Sequence, residues 1–179
     1  MVIAFAGRQI DAPDANEARF PPTQESKVAE KLEAELQKLK ATVLVCSASC
    51  GADILALEVA GRLTIRRSVV LPFDRATFRD VAIKGCPGNW GERYEVVMDE
   101  VKSGGDVVIL GFDVTDTNAY IATSNRILAE ARTTALGLAD TAAAVLVWDG
   151  QAHGVDDLSA HFLQEAERAS LPITQIMTV

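Results

Sequence analysis

Apolar residues fall into short runs along the chain, and amphipathic stretches separate them. The runs are continuous rather than alternating, which is typical of strands that are covered on both faces. They predict strands at Val2–Ala6, Thr42–Cys46, Ser68–Leu71, Val107–Leu110, Ala143–Val147 and Ile173–Met177. Apolar residues at three- and four-residue spacing predict helices over Thr23–Lys40, Gly51–Leu63, Glu92–Lys102, Tyr120–Leu138 and Val155–Ala169.

The alternation of strands and helices predicts an α/β protein. Right-handed crossovers between successive strands would give a three-layer α/β/α fold with a mostly parallel sheet of about six strands. The chain has 179 residues, which suits one domain of ordinary size. We therefore expect a single domain over residues 1–179.

Composition and charge exclude several classes of protein. Hydrophobic residues make up 49% of the chain, so a sizeable core is expected, yet no apolar run approaches the roughly 20 residues of a membrane span. The first strand begins at Val2 with no basic leader ahead of it, which predicts a cytoplasmic protein without a membrane partner. The net charge of −8 argues against long nucleic acid as a partner, while a small phosphate in a local pocket stays compatible with it.

The segments that follow the predicted strands are polar or contain glycine. In open α/β sheets, ligands bind beyond the carboxyl ends of the strands, where the strand order reverses. Five such exits are Gly7–Asp11, Ser47–Gly51, Pro72–Asp74, Gly111–Asp113 and Trp148–Gly150. We expect several of them to contribute to one site.

The exit Ser47–Gly51, here called the elbow, has three chemical interpretations. A metal site is disfavoured, because Cys46 and Cys50 lack the paired ligands that zinc requires, and we predict no metal and no cofactor. A nucleophilic thiol at Cys50 is disfavoured because no histidine lies in a partner motif. The third interpretation is an anion site built from backbone N–H groups at a helix start; the alternative is a compact turn capped by Ser49 or Asp53.

Two acidic residues follow the elbow. Asp53 would repel a phosphate, so it either caps its helix or orients Arg8 from the neighbouring exit. Glu58 lies further along the helix, where a surface ion pair competes with an acid/base role. Asp53 and Glu58 are the candidate catalytic residues.

The order of these segments resembles a known superfamily. "FAGRQIDAP", "RFP", "CSASCGADILALEVA" and "RSVVLPF", followed by "NAYIATSNRILAEA" and "AVLVWDGQAHGVDDL", are similar to the SLOG superfamily. Its members are Rossmann-like domains related to the LOG (lysine-decarboxylase-like) phosphoribohydrolases and the DNA-processing protein A family. The resemblance covers nearly the whole chain and implies a small nucleotide-like ligand across the strand exits.

Carried over to this sequence, the resemblance implies two walls around that ligand and further contacts from an intervening helix. Gly7 and Arg8 would flank the ligand. One wall would be Ser47, Gly51 and Ala52, and the other would be Asp149, Gly150, Gly154 and Val155, with phosphate near a helix start at Val155. Trp148 is a candidate for stacking on a base, and Tyr120 and Asn125 are candidates for reaching the ligand. For Trp148 and Tyr120, packing is the alternative role.

One departure from the LOG pattern affects the expected activity. The LOG enzymes share P-G-G-x-G-T-x-x-E, and here the Thr position is Val155 and the Glu position is Leu158. Glycosidic cleavage requires a carboxylate at the scissile bond, so binding or sensing of a nucleotide is the first hypothesis. The alternatives are a base-releasing N-glycosidase that uses Glu58, Asp53 or Asp157, and a non-catalytic assembly module. The long helices Thr23–Lys40 and Tyr120–Leu138 offer surfaces for a homo-oligomer.

Overall fold

The computed structural model describes residues 1–104 and 106–179 of the chain. Strands form where Val, Ile, Leu and Ala run continuously, because these side chains pack on both faces of a sheet. The strands are β1 (Val2–Gly7), β2 (Val43–Cys46), β3 (Arg66–Leu71), β4 (Val107–Ile109), β5 (Ala142–Trp148) and β6 (Ile173–Met177).

Helices connect the successive strands, as the amphipathic spacing predicts. They are α1 (Glu25–Lys38), α2 (Ala52–Arg62), α3 (Arg75–Ala82), α4 (Trp90–Gly104), α5 (Ala119–Gly137) and α6 (Leu158–Arg168), with a 3₁₀ turn at Pro22–Gln24 before α1. No helix in the described part of the chain combines the length and the apolar character that crossing a membrane requires.

The strands form a single parallel sheet in the order β4-β3-β2-β1-β5-β6. The chain builds outward from β1 to β4, and α5 then carries it back to place β5 on the other side of β1. Val2 pairs with Ala142 and Gly7 with Val147 along the β1–β5 ladder. The strand order therefore reverses between β1 and β5, and their carboxyl ends form the crevice where this type of sheet binds ligands.

Both faces of the sheet are covered, which confirms the three-layer Rossmann-like fold. Successive side chains of a strand point to opposite faces. Ile3 and Phe5 pack with α1, α2 and α4 into one core, whereas Val2 and Ala4 pack with α5 and α6 into the other. All four side chains are fully buried.

The structure corrects the sequence prediction at two helix starts and adds one helix. The last crossover helix begins at Leu158 rather than Val155, because the Asp157 carboxylate caps it by accepting from the N–H groups of Ser159 and Ala160. Helix α1 begins at Glu25 rather than Thr23, and its N-cap residue Gln24 makes no side-chain hydrogen bond.

Helix α3 was not predicted from the sequence. It has only 8 residues, and Phe78 and Ala82 are its buried side chains, so the amphipathic repeat is too short to detect. Asp74 fixes its start by accepting from the N–H groups of Ala76 and Thr77.

Candidate functional site

A cleft and a smaller slot lie together at the carboxyl end of β1. The cleft has a volume of about 970 Å³ and the slot a volume of about 90 Å³. The two cavities share the lining residues Gly7, Ser49, Tyr120, Leu158 and Ser159. The cleft and the slot are therefore adjacent.

Arg8 joins the three segments that meet at this switch point. Its Nε donates to Asp149 Oδ1 at 2.9 Å, and its Nη1 donates to Asp157 Oδ1 at 2.9 Å. Nη2 donates to the Gln151 carbonyl at 2.6 Å and lies 2.8 Å from Asp157 Oδ2. These contacts hold the β5 exit and the start of α6 against the β1 exit.

The cluster of Arg8, Asp149 and Asp157 is shielded from water, and its charges set the protonation of its acids. The three side chains are 11%, 5% and 2% exposed. Burial alone would raise the pKa of Asp157, but hydrogen bonds from Arg8 and from the N–H groups of His153 and Ala160 lower it to about 2. The pKa of Asp149 is also lowered, since hydrogen bonds from His153 and Arg8 outweigh its burial. Both acids therefore stay ionised at neutral pH.

The backbone of the elbow is folded tightly against the β1 exit. Gly51 has φ +97°, and a Cβ there would lie 2.4 Å from the Ile10 nitrogen, so only glycine fits. The Ala52 N–H donates to the Arg8 carbonyl at 3.1 Å. The Ser49 N–H donates to Asp53 Oδ2 at 3.2 Å. These two amides, one in the elbow and one at the start of α2, are therefore occupied by acceptors of the chain itself.

Asp53 lies in the slot with one oxygen unused. Its Oδ1 is buried and has no hydrogen-bond partner among the described residues, and the same holds for Ser124 Oγ. Both residues line the slot, and they are 5% and 8% exposed. Burial raises the pKa of Asp53 to about 7, against the opposing effects of the Ser49 N–H, the Gly7 N–H and the Ser49 hydroxyl. The walls of the slot thus contain a titratable acid and a buried hydroxyl, each with capacity for one further hydrogen bond.

A disulfide between Cys50 and Cys86, which the sequence analysis did not foresee, borders the cleft. Both residues line the cleft, so the bond ties the elbow to the segment between α3 and α4. Cys46 is free and fully buried, and burial raises the pKa of its thiol. Within residues 1–104 and 106–179, no group of three or more His, Cys, Asp or Glu is arranged to hold a metal ion.

The structure brings some of the sequence-predicted residues together at these cavities. Gly7 and Tyr120 line both of them, Arg8 lines the cleft, and Ser47 and Asp53 line the slot. A Cβ at Gly7 would lie 2.4 Å from Ala52 Cβ, so Gly7 lets β1 approach α2 closely. Gly51, Ala52 and Asp149 are not among the described residues that line the two cavities. Asp149 contributes by accepting a hydrogen bond from Arg8.

Other predicted residues lie elsewhere. Trp148 is 6% exposed and its indole N–H donates to Gln175 Oε1 at 2.8 Å, so its ring is packed rather than open for stacking. Asn125 Oδ1 lies 3.0 Å from His161 Nε2, between α5 and α6. Glu58 is bound by Arg93, with Nε to Oε1 at 2.8 Å.

The remaining predicted residues belong to the loop between β5 and α6. Gly150 has φ +81°, and a Cβ there would lie 2.5 Å from Met177 Cε, so it packs against the end of β6. Gly154 has open space around it. Val155 is fully exposed. None of these three is among the described residues that line the two cavities.

Sequence reasoning missed Ser124 and His153. Ser124 lies four residues after Tyr120 on α5, and residues at that spacing share a helix face, so the Tyr120 prediction was a signal for it. His153 lines the cleft, contacts Asp149 through Nε2 and lies 3.3 Å from Glu17 through Nδ1. A lone histidine in a loop carries no such signal in the sequence.

Comparisons with known proteins identify no family for this chain. No protein-family model matches the chain, and no curated protein matches it. The SLOG resemblance therefore stays a prediction from the residues.

Proposed function

We propose that this protein binds a nucleotide-like ligand at the carboxyl ends of β1 and β5, with the ribose in the slot and the base in the cleft. The switch point of a doubly covered parallel sheet is the usual place for such ligands. The volume of the cleft, about 970 Å³, is ample for a ligand of nucleoside size.

The observation that carries the proposal is the pair of unused polar atoms in the slot. A buried polar atom without a partner costs about 1–3 kcal/mol, and Asp53 Oδ1 and Ser124 Oγ both lack partners among the described residues. Adjacent hydroxyl groups, such as the 2′- and 3′-hydroxyls of ribose, can donate to the carboxylate and accept from the serine. A ligand that carries such a diol therefore offers one hydroxyl group for each of the two residues.

The SLOG resemblance supports the same proposal, since it implies a nucleotide-derived ligand at these strand exits. A sensing role is part of this proposal, and so is assembly into homo-oligomers through the surfaces of the two long helices. The disulfide between Cys50 and Cys86 weighs against a reducing compartment, because the cytosol keeps most thiols reduced. The cytoplasmic location of the protein therefore stays a prediction.

Hydrolysis of a base–ribose bond is the second candidate function, and the protonation of Asp53 favours it. Glu58 is paired with Arg93, and Asp157 is paired with Arg8. Asp53 has a pKa of about 7, which suits a general acid or base at neutral pH. Release of free base from bound ribonucleosides, followed by chromatography, tests this candidate. Recovery of the bound ligand intact would contradict hydrolysis and leave binding as the function.

Replacing Ser124 with alanine is expected to weaken ribonucleoside binding about fivefold to tenfold, the effect of losing one hydrogen bond. The hydroxyl has no partner among the described residues, so the fold should lose little stability. Calorimetric titration of adenosine, guanosine, cytidine and uridine against both proteins measures the effect, and the matching 2′-deoxyribonucleosides should bind the unaltered protein more weakly by a similar factor.

Ser26→Ala is the matched control, because Ser26 is exposed on α1 and the substitution removes the same hydroxyl group. Equal affinity of the Ser124 variant and the unaltered protein would remove the slot from the site. No binding by any ribonucleoside would reject the proposal and favour the assembly-module hypothesis.

A further inference from the structure

The cleft carries more negative than positive side chains. Its described lining includes the carboxylates of Asp11, Glu17, Asp156 and Asp157, and the two arginines Arg8 and Arg19. Arg19 lies 3.4 Å from Glu17, and Arg8 is held by Asp157. Both arginines are thus neutralised by carboxylates of the chain.

The guanidinium of Arg8 has little capacity left for a ligand. It has five N–H donors. Nε binds Asp149, Nη1 binds Asp157, and Nη2 binds both Asp157 and the Gln151 carbonyl. These contacts leave a single N–H on Nη1 without a partner in the described part of the chain. The guanidinium therefore cannot offer a phosphate the pair of parallel N–H donors that binds it best.

Three backbone N–H groups at the two helix starts beside the cleft are bound by carboxylates as well. At the elbow, the Ser49 N–H donates to Asp53. At the start of α6, the N–H groups of Ser159 and Ala160 donate to Asp157. A phosphate approaching either place would meet a carboxylate and would be repelled by it.

We propose that the site selects an unphosphorylated ribonucleoside, with a neutral or positively charged base, over the corresponding 5′-phosphate. The inference rests on the proposed function, because the buried atoms Asp53 Oδ1 and Ser124 Oγ are what anchor the ribose. The occupied donors and the surplus of carboxylates around the cleft decide the ligand class. The exposed carboxylates at the rim of the cleft, Glu17 and Asp156, repel the phosphate and attract a cationic base.

Calorimetric titration of matched pairs tests the inference at low ionic strength, where charges are least screened. The pairs are adenosine and AMP, guanosine and GMP, and N7-methylguanosine and its 5′-monophosphate. Each nucleoside is expected to bind at least about tenfold more tightly than its monophosphate. Tighter binding of the monophosphates would overturn this inference and leave the proposed function standing. Binding of neither class would reject the proposed function itself.

A double variant, Glu17→Gln with Asp156→Asn, tests whether the rim carboxylates set the preference. Both residues are exposed, so the fold should tolerate the change, and the ratio of the two dissociation constants is expected to shrink at least about threefold because two charges near the phosphate are gone. Glu167→Gln, an exposed position at the far end of α6, should leave the ratio unchanged. An unchanged ratio in the double variant would contradict the inference.

Discussion

Arg8→Ala is expected to lower the free energy of unfolding at pH 7 by about 3–5 kcal/mol, the usual cost of removing one partner of a buried ion pair. The substitution leaves the Asp149 and Asp157 carboxylates, 5% and 2% exposed, without their cation. Urea unfolding followed by circular dichroism measures the loss. The loss should shrink below about pH 5, because the unpaired carboxyls then take up protons.

Arg66→Ala is the matched control for this prediction. Arg66 also makes two hydrogen bonds to one carboxylate, at 2.7 and 2.6 Å from Asp106, but its side chain is 56% exposed. An exposed pair contributes at most about 1 kcal/mol. Equal losses of unfolding free energy in the two variants would show that burial of the Arg8 cluster adds nothing to the stability of the protein.

Asp53→Asn is expected to stabilise the protein at pH 8 by about 3–4 kcal/mol and to have little effect near pH 4. The folded-state pKa of Asp53 is about 7, raised by burial above the ordinary 3.8. Between these values the folded protein keeps the proton that the unfolded chain has lost, so stability falls as the pH rises. Each unit of the difference corresponds to about 1.4 kcal/mol, and asparagine avoids the buried charge.

Thermal unfolding at pH 4, 6 and 8 measures this effect, and the Tm should rise by about 10 °C at pH 8 for a chain of this size. Asp74→Asn is the control, since the side chain and backbone of Thr77 lower the pKa of this exposed acid and its substitution should give no gain at pH 8. A Tm difference for Asp53→Asn that does not change with pH would contradict the raised pKa.

The fold follows from the sequence because its strands are continuous apolar runs and its longer helices are amphipathic. Those patterns persist for several residues and do not depend on distant contacts. Helix α3 could not be predicted, because its 8 residues form too few turns to show an amphipathic repeat. The start of α6 was misplaced because Asp157, rather than a residue before Val155, supplies the cap.

The site was only partly predictable from the sequence. The rule of strand exits placed Arg8 and Asp149 near each other, but their pairing spans 141 residues and no local pattern encodes it. The partner of Cys50 is Cys86, at a separation of 36 residues. The raised pKa of Asp53 depends on burial by segments from across the chain, which the sequence does not display.

Titration of adenosine, guanosine, cytidine and uridine into the unaltered protein at pH 6 and pH 8 tests the central claim most directly. Ribose hydroxyls donate to the ionised form of Asp53, whose pKa is about 7. The ionised fraction rises about tenfold between these pH values, and the affinity of the ribonucleoside that binds should rise by the same factor. Binding of equal strength at both pH values, or no binding at either, would contradict the account.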